Sequence, residues 1–241
     1  MNQIHVTLQG KGGVGKSLVS YLLAQYVKSK DKEIRCFDTD PVNQTFQSYK
    51  SLEVDHIELL EGSNVSERNF DGLMEKILSS QSTYVIDNGA SSFIPLSNYI
   101  IENDVIAMMQ DNGYQIIIHV VIVGGQAILD TLNGFNSLAQ QTQGAKIIVW
   151  INDYFGEVSV DGKSFTEMKA YTTNKDKVLG IVRLAKRNPD TFGKDIEQMV
   201  TSKLTFDEAI KSPSFSIMAK QRIKTVQSDI YKQLDAISEL N

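Results

Sequence analysis

LQGKGGVGKS, residues 8–17, sits between a short apolar run, IHVTLQ, and a segment with helical spacing. Gly10, four residues, Gly15, Lys16 and Ser17 complete the pattern G-x-x-x-x-G-K-S. A strand before it and a helix after it are the context that a phosphate loop requires. Glycines let the backbone N–H groups of Gly10, Lys11, Gly12, Gly13, Val14 and Gly15 turn inward around a phosphate with no Cβ in the way. The helix N-terminus that follows adds partial positive charge. Lys16 is then expected to reach the β- and γ-phosphate oxygens, and the Ser17 hydroxyl to ligate Mg²⁺. One lysine is enough for that chemistry, so Lys11 is left to be explained.

Outward from the loop, short apolar runs alternate with longer polar segments. The runs are EIRCFD (33–38), DHIELL (55–60), TYVIDN (83–88), VIAMM (105–109), IIIHVVIV (116–123), AKIIVWIN (145–152) and KVLGIVRL (177–184). Several show little alternation, as strands buried on both faces do. Helical spacing covers 17–30, 66–80, 126–143 and 190–203. This rhythm predicts an α/β fold: one domain over 1–241, with a mostly parallel, twisted sheet and helices on both faces. Residues 214–240 carry Ile217, Met218, Ile223, Val226, Ile230, Leu234 and Ile237 at near-helical spacing. They predict a long amphipathic helix packed on the domain. NDYFGEVSVDGKSF (152–165), rich in Gly and Asp, reads as a loop or small hairpin.

With 241 residues, 41% hydrophobic and 22% charged, the chain has enough material for a sizeable core and is not of disordered composition. A net charge of −5 gives no bulk signal for nucleic acid, although a local basic patch remains open. The single cysteine, Cys36, excludes an internal disulfide and reads as a buried thiol. No apolar stretch is long enough to span a bilayer, so a cytoplasmic protein without membrane insertion is expected. His5, His56 and His119 lie in apolar runs and read as core or strand-edge residues. No Cys/His ligand spacing exists, so no transition metal is expected. TYVID ends on Asp87, a Walker B pattern in which the acid holds Mg²⁺ through water. Many strands end in Asp, and the signal gains its weight from its place after the phosphate loop.

KGGVGKS resembles the deviant Walker A motif of the ParA/MinD family, a group that also resembles the nitrogenase iron protein. The resemblance implies that Lys11 is the signature lysine, which crosses an ATP-sandwiched homodimer to touch the phosphates of the other subunit. A lysine arriving in trans can neutralise charge that develops in phosphoryl transfer. CFDTDPVNQ resembles the family's D-x-D-P segment, which makes Asp40 the carboxylate near Mg²⁺ and the attacking water. Asp38 matches a more variable position. Asn152, at the end of AKIIVWIN, matches an asparagine that hydrogen-bonds adenine, and an amide offers the donor and acceptor for N6 and N7. Asp153 keeps a guanine alternative open, but N-K-x-D is absent and ATP/ADP is favoured. After Asp87 the family has prolines, whereas Asn88, Gly89 and Ala90 follow here.

LQGKGGVGKS, DTDPVNQTF, VIDNGASSFIPLS, GGQAILDT, MKAYTTNK and LTFDEA together resemble the TraL proteins of conjugative plasmids, over nearly the whole chain. That resemblance implies a slow, Mg²⁺-dependent, partner-stimulated ATPase acting as a dimerising switch. It implies an accessory role in conjugative transfer, with a conjugation-machinery protein as partner. GGQAILDT, at Gly124–Gln126 and beyond, is either an element near the dimer face or a plain helix start. The alternative is a partition-type ATPase that binds DNA nonspecifically, with Lys211, Lys220, Arg222, Lys224 and Lys232 as the candidate surface. Such a charge run is also what a solvated helix face looks like. A membrane switch is disfavoured by the acidic end of the tail, QLDAISELN, and a small-molecule kinase by Lys11.

Overall fold

The structure, a computed structural model, describes residues 2–30 and 32–240. Seven strands form one sheet: β1 (Asn2–Thr7), β2 (Ile34–Asp38), β3 (Asp55–His56), β6 (Thr83–Asp87), β7 (Tyr114–Val123), β8 (Lys146–Asn152) and β11 (Val178–Leu184). Two small hairpins complete the strands, β4–β5 (Leu60–Glu61, Asn64–Val65) and β9–β10 (Ser159–Val160, Lys163–Ser164). The sheet order is β11-β8-β7-β1-β6-β2-β3 and every pairing in it is parallel. Parallel neighbours need crossover connections, and the helices supply most of them. They are α1 (Lys16–Lys28), α2 (Asn69–Leu78), α3 (Phe93–Glu102), α4 (Val105–Asp111), α5 (Ile128–Gln141), α6 (Lys169–Asn174), α7 (Lys194–Thr201), α8 (Phe206–Lys211) and α9 (Ile217–Asp235).

Both faces of the sheet are buried at its centre, which is why β7 and β8 are apolar over most of their length. Along β7, Ile116, Ile118, Val120 and Ile122 enter the core under α2–α5. Ile117, Val121 and Val123 enter the other core, with α1, α8 and α9. Each such side chain contributes about 1.5–3 kcal/mol by leaving water. On the α9 side Ile223, Val226, Ile230 and Leu234 face the core, and Gln233 caps the exposed edge of β11. The Gln233 Oε1 accepts from the Arg183 N–H at 2.7 Å, and its Nε2 donates to the Arg183 carbonyl at 3.1 Å. That side chain blunts an edge strand open to unwanted pairing.

Two of the expected strands take other forms. VIAMM is the helix α4: Val105, Ile106 and Met109 are buried at helical spacing, and Met and Ala favour helix over strand. DHIELL divides into β3 and the first strand of the β4–β5 hairpin, two residues each. α3 lies outside the helices expected from spacing, and it contains Pro95. That proline lies in the helix's first turn, where no intrahelical N–H bond is lost.

The histidines divide as core and edge. Trp150 Nε1 donates to His119 Nδ1 at 2.9 Å, which makes His119 Nε2 the N–H that donates to His5 Nδ1 at 3.0 Å. His5 Nε2 is buried without a partner among the described residues. Burial pushes His5 down to about 3 and His119 well below its ordinary value. His56 sits on the edge strand beside Gln44 and Glu58.

Candidate functional site

Parallel strands all end at the same edge of a sheet, and in this order the chain departs from β1 to both sides. Loops after β1, β2, β6, β7 and β8 therefore crowd one crevice at that switch point. The loop after β1 is anchored from below. Leu8 N–H donates to the His119 carbonyl at 3.0 Å, and the buried Gln9 Nε2 donates to the carbonyls of Val121 and Thr131 at 3.0 and 3.2 Å. Gly13 and Gly15 take left-handed φ of 74° and 105°, conformations that favour glycine. Gly15 caps α1, whose first turn holds no acidic residue to oppose an anion at that end. Gly10, Gly12 and Gly13 are exposed and Val14 is buried, so the loop is open outward and packed inward.

Lys16 folds back over this loop, and its Nζ donates to the Lys11 carbonyl at 3.1 Å. Burial lowers the Lys16 pKa, while the carboxylates of Asp87 and Asp40 act in the opposite sense. A desolvated ammonium between a loop of N–H groups and two carboxylates suits an anion accompanied by a cation.

Asp87 ends β6 in register with Thr7 on one side and Asp38 on the other. Its Oδ1 accepts from the Ser20 hydroxyl at 2.9 Å, one helical turn beyond Ser17. Its Oδ2 is buried and has no hydrogen-bond partner among the described residues. The Ser17 hydroxyl stands beside the carboxylate without forming a bond of good geometry, yet it favours the charged form. Burial outweighs these helpers and raises Asp87 to about 7. A buried carboxylate oxygen left unpaired beside a serine hydroxyl is a hard-oxygen donor set, and such sets fit Mg²⁺.

The two acids of DTD do different things. Asp38 is fully buried, and its carboxylate accepts the N–H of Asp40 and of Gln47, each at 3.0 Å. It braces the loop. Asp40 is half-buried, with Oδ1 accepting from the N–H of Val42 and Asn43 at 2.9 and 3.1 Å. The backbone of Gly89 lies against it: a Cβ there would come within 2.7 Å of the Asp40 carboxylate.

Asn152 is buried, with Nδ2 donating to the Val14 carbonyl at 3.0 Å and Oδ1 accepting from Tyr154 N–H at 3.2 Å. One amide proton and one lone pair are not used by these bonds. Asp153 is clamped by Arg183, at 2.5 Å from Nε and 3.2 Å from Nη2. Its carboxylate is thereby committed elsewhere, which works against a guanine site.

Lys11 lies apart from this cluster. Its Nζ pairs with Asp130 Oδ2 at 2.9 Å, in the first turn of α5, at the open rim of the crevice. Sequence reasoning missed Asp130, Ser20 and Gln9, because each acts across more than sixty residues of chain or from inside an ordinary helix turn. Of the basic tail residues, Arg222 is held by Asp195 at 2.5 Å. Lys224 and Lys232 line an open groove of about 500 Å³ with Arg187 and Asp229, which pair at 2.6 Å.

Residues 6–204 match the CobQ/CobB/MinD/ParA nucleotide binding domain family, CbiA. Two curated proteins called Protein TraL, both from Escherichia coli, resemble the chain throughout. One is 46% identical over 241 residues, covering all of both chains. The other is 44% identical over 236 residues, covering 98% of each. Among solved structures, the MinD cell division protein of Aquifex aeolicus is similar in fold. Its TM-score is 0.53, at 13% identity and 97% coverage of both chains.

Proposed function

The chain belongs to the CobQ/CobB/MinD/ParA nucleotide-binding domain family, and from that premise we propose that it is a Mg²⁺-dependent ATPase working as a dimerising switch in plasmid conjugative transfer. The observation that carries the reading is the division between the two loop lysines. Lys16 lies in its own phosphate loop, while Lys11 is turned to the rim, 2.9 Å from Asp130. A lysine at the rim serves a nucleotide that approaches from outside, which is what a second protomer brings. Exposed apolar side chains follow the same strand ends: Val42, Ile94, Leu129 and Phe155. Such a rim suits burial against a second copy.

In this reading the N–H groups of Gly10–Gly15 and the Lys16 ammonium bind the phosphates, and Asn152 takes the adenine edge. Ser17 and Asp87 would hold Mg²⁺, with Asp40 close by, and the ion would neutralise charge on the phosphate oxygens. Asp40 orients the attacking water and accepts its proton. Lys11 of one protomer balances charge on the phosphates of the other. The role in transfer rests on the kinship with the TraL proteins, and the partner would be a component of the conjugation machinery. A partition role would need a basic DNA-binding face, and Arg222 of the candidate face is already neutralised by Asp195, as the neighbouring Arg187 is by Asp229.

The test is the solution mass with ATP and Mg²⁺ against ADP and Mg²⁺, together with phosphate release. A dimer formed with ATP alone and slow release of phosphate are expected. Nucleotide-independent mass and no release would overturn the reading. A pull-down from plasmid-bearing cells separates transfer from partition: pilus-assembly or relaxosome proteins are expected, and chromosomal DNA alone would favour partition.

A further inference from the structure

Thr39 stands between the two acids of DTD and has no part in the chemistry described so far. Its backbone N–H extends the β2–β6 ladder by donating to the Asp87 carbonyl at 2.9 Å. Its hydroxyl lies 2.9 Å from that same carbonyl and 3.1 Å from Asn88 Oδ1, so one proton is shared between two acceptors. Its carbonyl accepts from the Ser92 hydroxyl at 3.4 Å. Asn88 is buried, and its Nδ2 donates to the Gly89 carbonyl at 3.0 Å. Gly89 in turn rests on the Asp40 carboxylate, with no room for a Cβ. Thr39, Asn88, Gly89 and Asp40 thus form a closed circuit, made of hydrogen bonds and one backbone contact, between the loop after β2 and the loop after β6.

We propose that Thr39 is a positioning residue for hydrolysis, coupling Asp40 to the Asn88–Gly89 segment so that the water-orienting carboxylate and the loop that follows Asp87 move together. The inference rests on the role given above to Asp40. Asn88 supplies here, by a side-chain bond, a link between the two loops that a proline in its place has no amide to make. All partners in the circuit are buried or half-buried, so losing the hydroxyl leaves Asn88 Oδ1 without that donor and loosens the register of Asp40.

The experiment measures ATP affinity and single-turnover hydrolysis for the full chain and six variants, the single Asn88→Ala among them. Thr39→Val, which keeps the shape and removes the hydroxyl, is expected to slow hydrolysis about tenfold or more with ATP affinity within about threefold. Thr39→Ser restores the hydroxyl and is expected to recover the rate to within about twofold. Asn88→Ala combined with Thr39→Val should be no slower than the slower single variant, since both break one link. On an Asp40→Ala background, Thr39→Val should add nothing. Normal hydrolysis in Thr39→Val beside a dead Asp40→Ala would overturn the coupling alone. So would parallel loss of affinity, rate and melting temperature with no recovery in Thr39→Ser, which is the signature of a packing role. Normal hydrolysis in Asp40→Ala would instead remove the premise.

Discussion

If Lys11 works in trans, its pairing with Asp130 has to break before it can reach a second nucleotide. Asp130 then competes with the dimer. Replacing it with Ala should tighten ATP-dependent dimerisation, whereas Lys11→Ala should weaken it. The size of the effect follows from the geometry. The pair is close, at 2.9 Å, but its side chains are 45% and 57% exposed. Exposed pairs of this kind contribute about 0.2–1 kcal/mol after screening and side-chain entropy are counted. A symmetric dimer breaks two of them, so Asp130→Ala should gain about 0.4–2 kcal/mol, a tightening of about 2- to 30-fold.

The assay is sedimentation or mass photometry over a concentration series with ATP and Mg²⁺. Asp40→Ala serves as background so that turnover does not empty the dimer. Raising the salt should shrink the difference between Asp130→Ala and its parent, because the competing pair is at the surface. Lys11→Ala should bind ATP near normally yet dimerise poorly, and adding Asp130→Ala to it should change nothing further. A weaker dimer in Asp130→Ala would make Asp130 a dimer contact and not a competitor. An unchanged dimer in Lys11→Ala would refute the trans role and leave Lys11 a charged rim residue.

Other measurements bear on the same molecule. Lys16→Ala should lower ATP affinity about 10- to 100-fold by calorimetry, the scale of one charge-assisted bond; unchanged affinity would refute the phosphate-loop role. Asp40→Ala should bind ATP within about threefold of the parent and lose turnover about 100-fold or more; normal turnover would exclude it from the mechanism. His5 and His119 have folded-state pKa values far below the unfolded value of about 6.5, so the stability they contribute is fully present above about 6.5 and is lost as pH falls below it. Each removes about 1.4 kcal/mol of stability per pH unit below that point, whereas Asp87, raised to about 7, acts in the opposite sense as pH falls; on an Asp87→Asn background, urea midpoints should therefore drop between pH 7 and 5.5 by an amount equivalent to about 2–3 kcal/mol. A midpoint that does not move would show that the pair is not held neutral.

What the sequence disclosed, it disclosed through local chemistry. Residues 10–17 need glycine at left-handed positions and a lysine at the first turn of a helix. These needs are met within one loop, so a motif can carry them. The strand runs were legible because β1, β2, β6, β7 and β8 are buried on both faces, which demands apolar residues whatever the partner. VIAMM misled for the same reason: a short buried run carries no period long enough to tell a strand from a helix, and only its neighbours decide. DHIELL misled at an edge, where β3 pairs on one side only and two residues are enough to end the sheet.

The site divides in the same way. Asp87 and Asp40 are recognisable because each ends or follows a strand, and strand ends converge on one edge in any parallel sheet. Whether an acid there meets a ligand or a backbone is decided by contacts of another kind. Asp38 and Asp40 are two residues apart, yet Asp38 is fully buried with both oxygens taken by the N–H groups of Asp40 and Gln47, whereas Asp40 is half-buried at the crevice and accepts its two N–H groups on Oδ1 alone. Asp153 looks as available as Asn152 until Arg183, thirty residues later, closes on it. Lys11 gains its meaning from Asp130, and Thr39 from Asn88, in each case through a side chain on another loop. A residue type at a strand end therefore states what chemistry is within reach. The side chains that satisfy it in the folded chain state which of those chemistries remains free, and here they leave Asp87 Oδ2 and one face of Asn152 free, with Asp40 at the crevice.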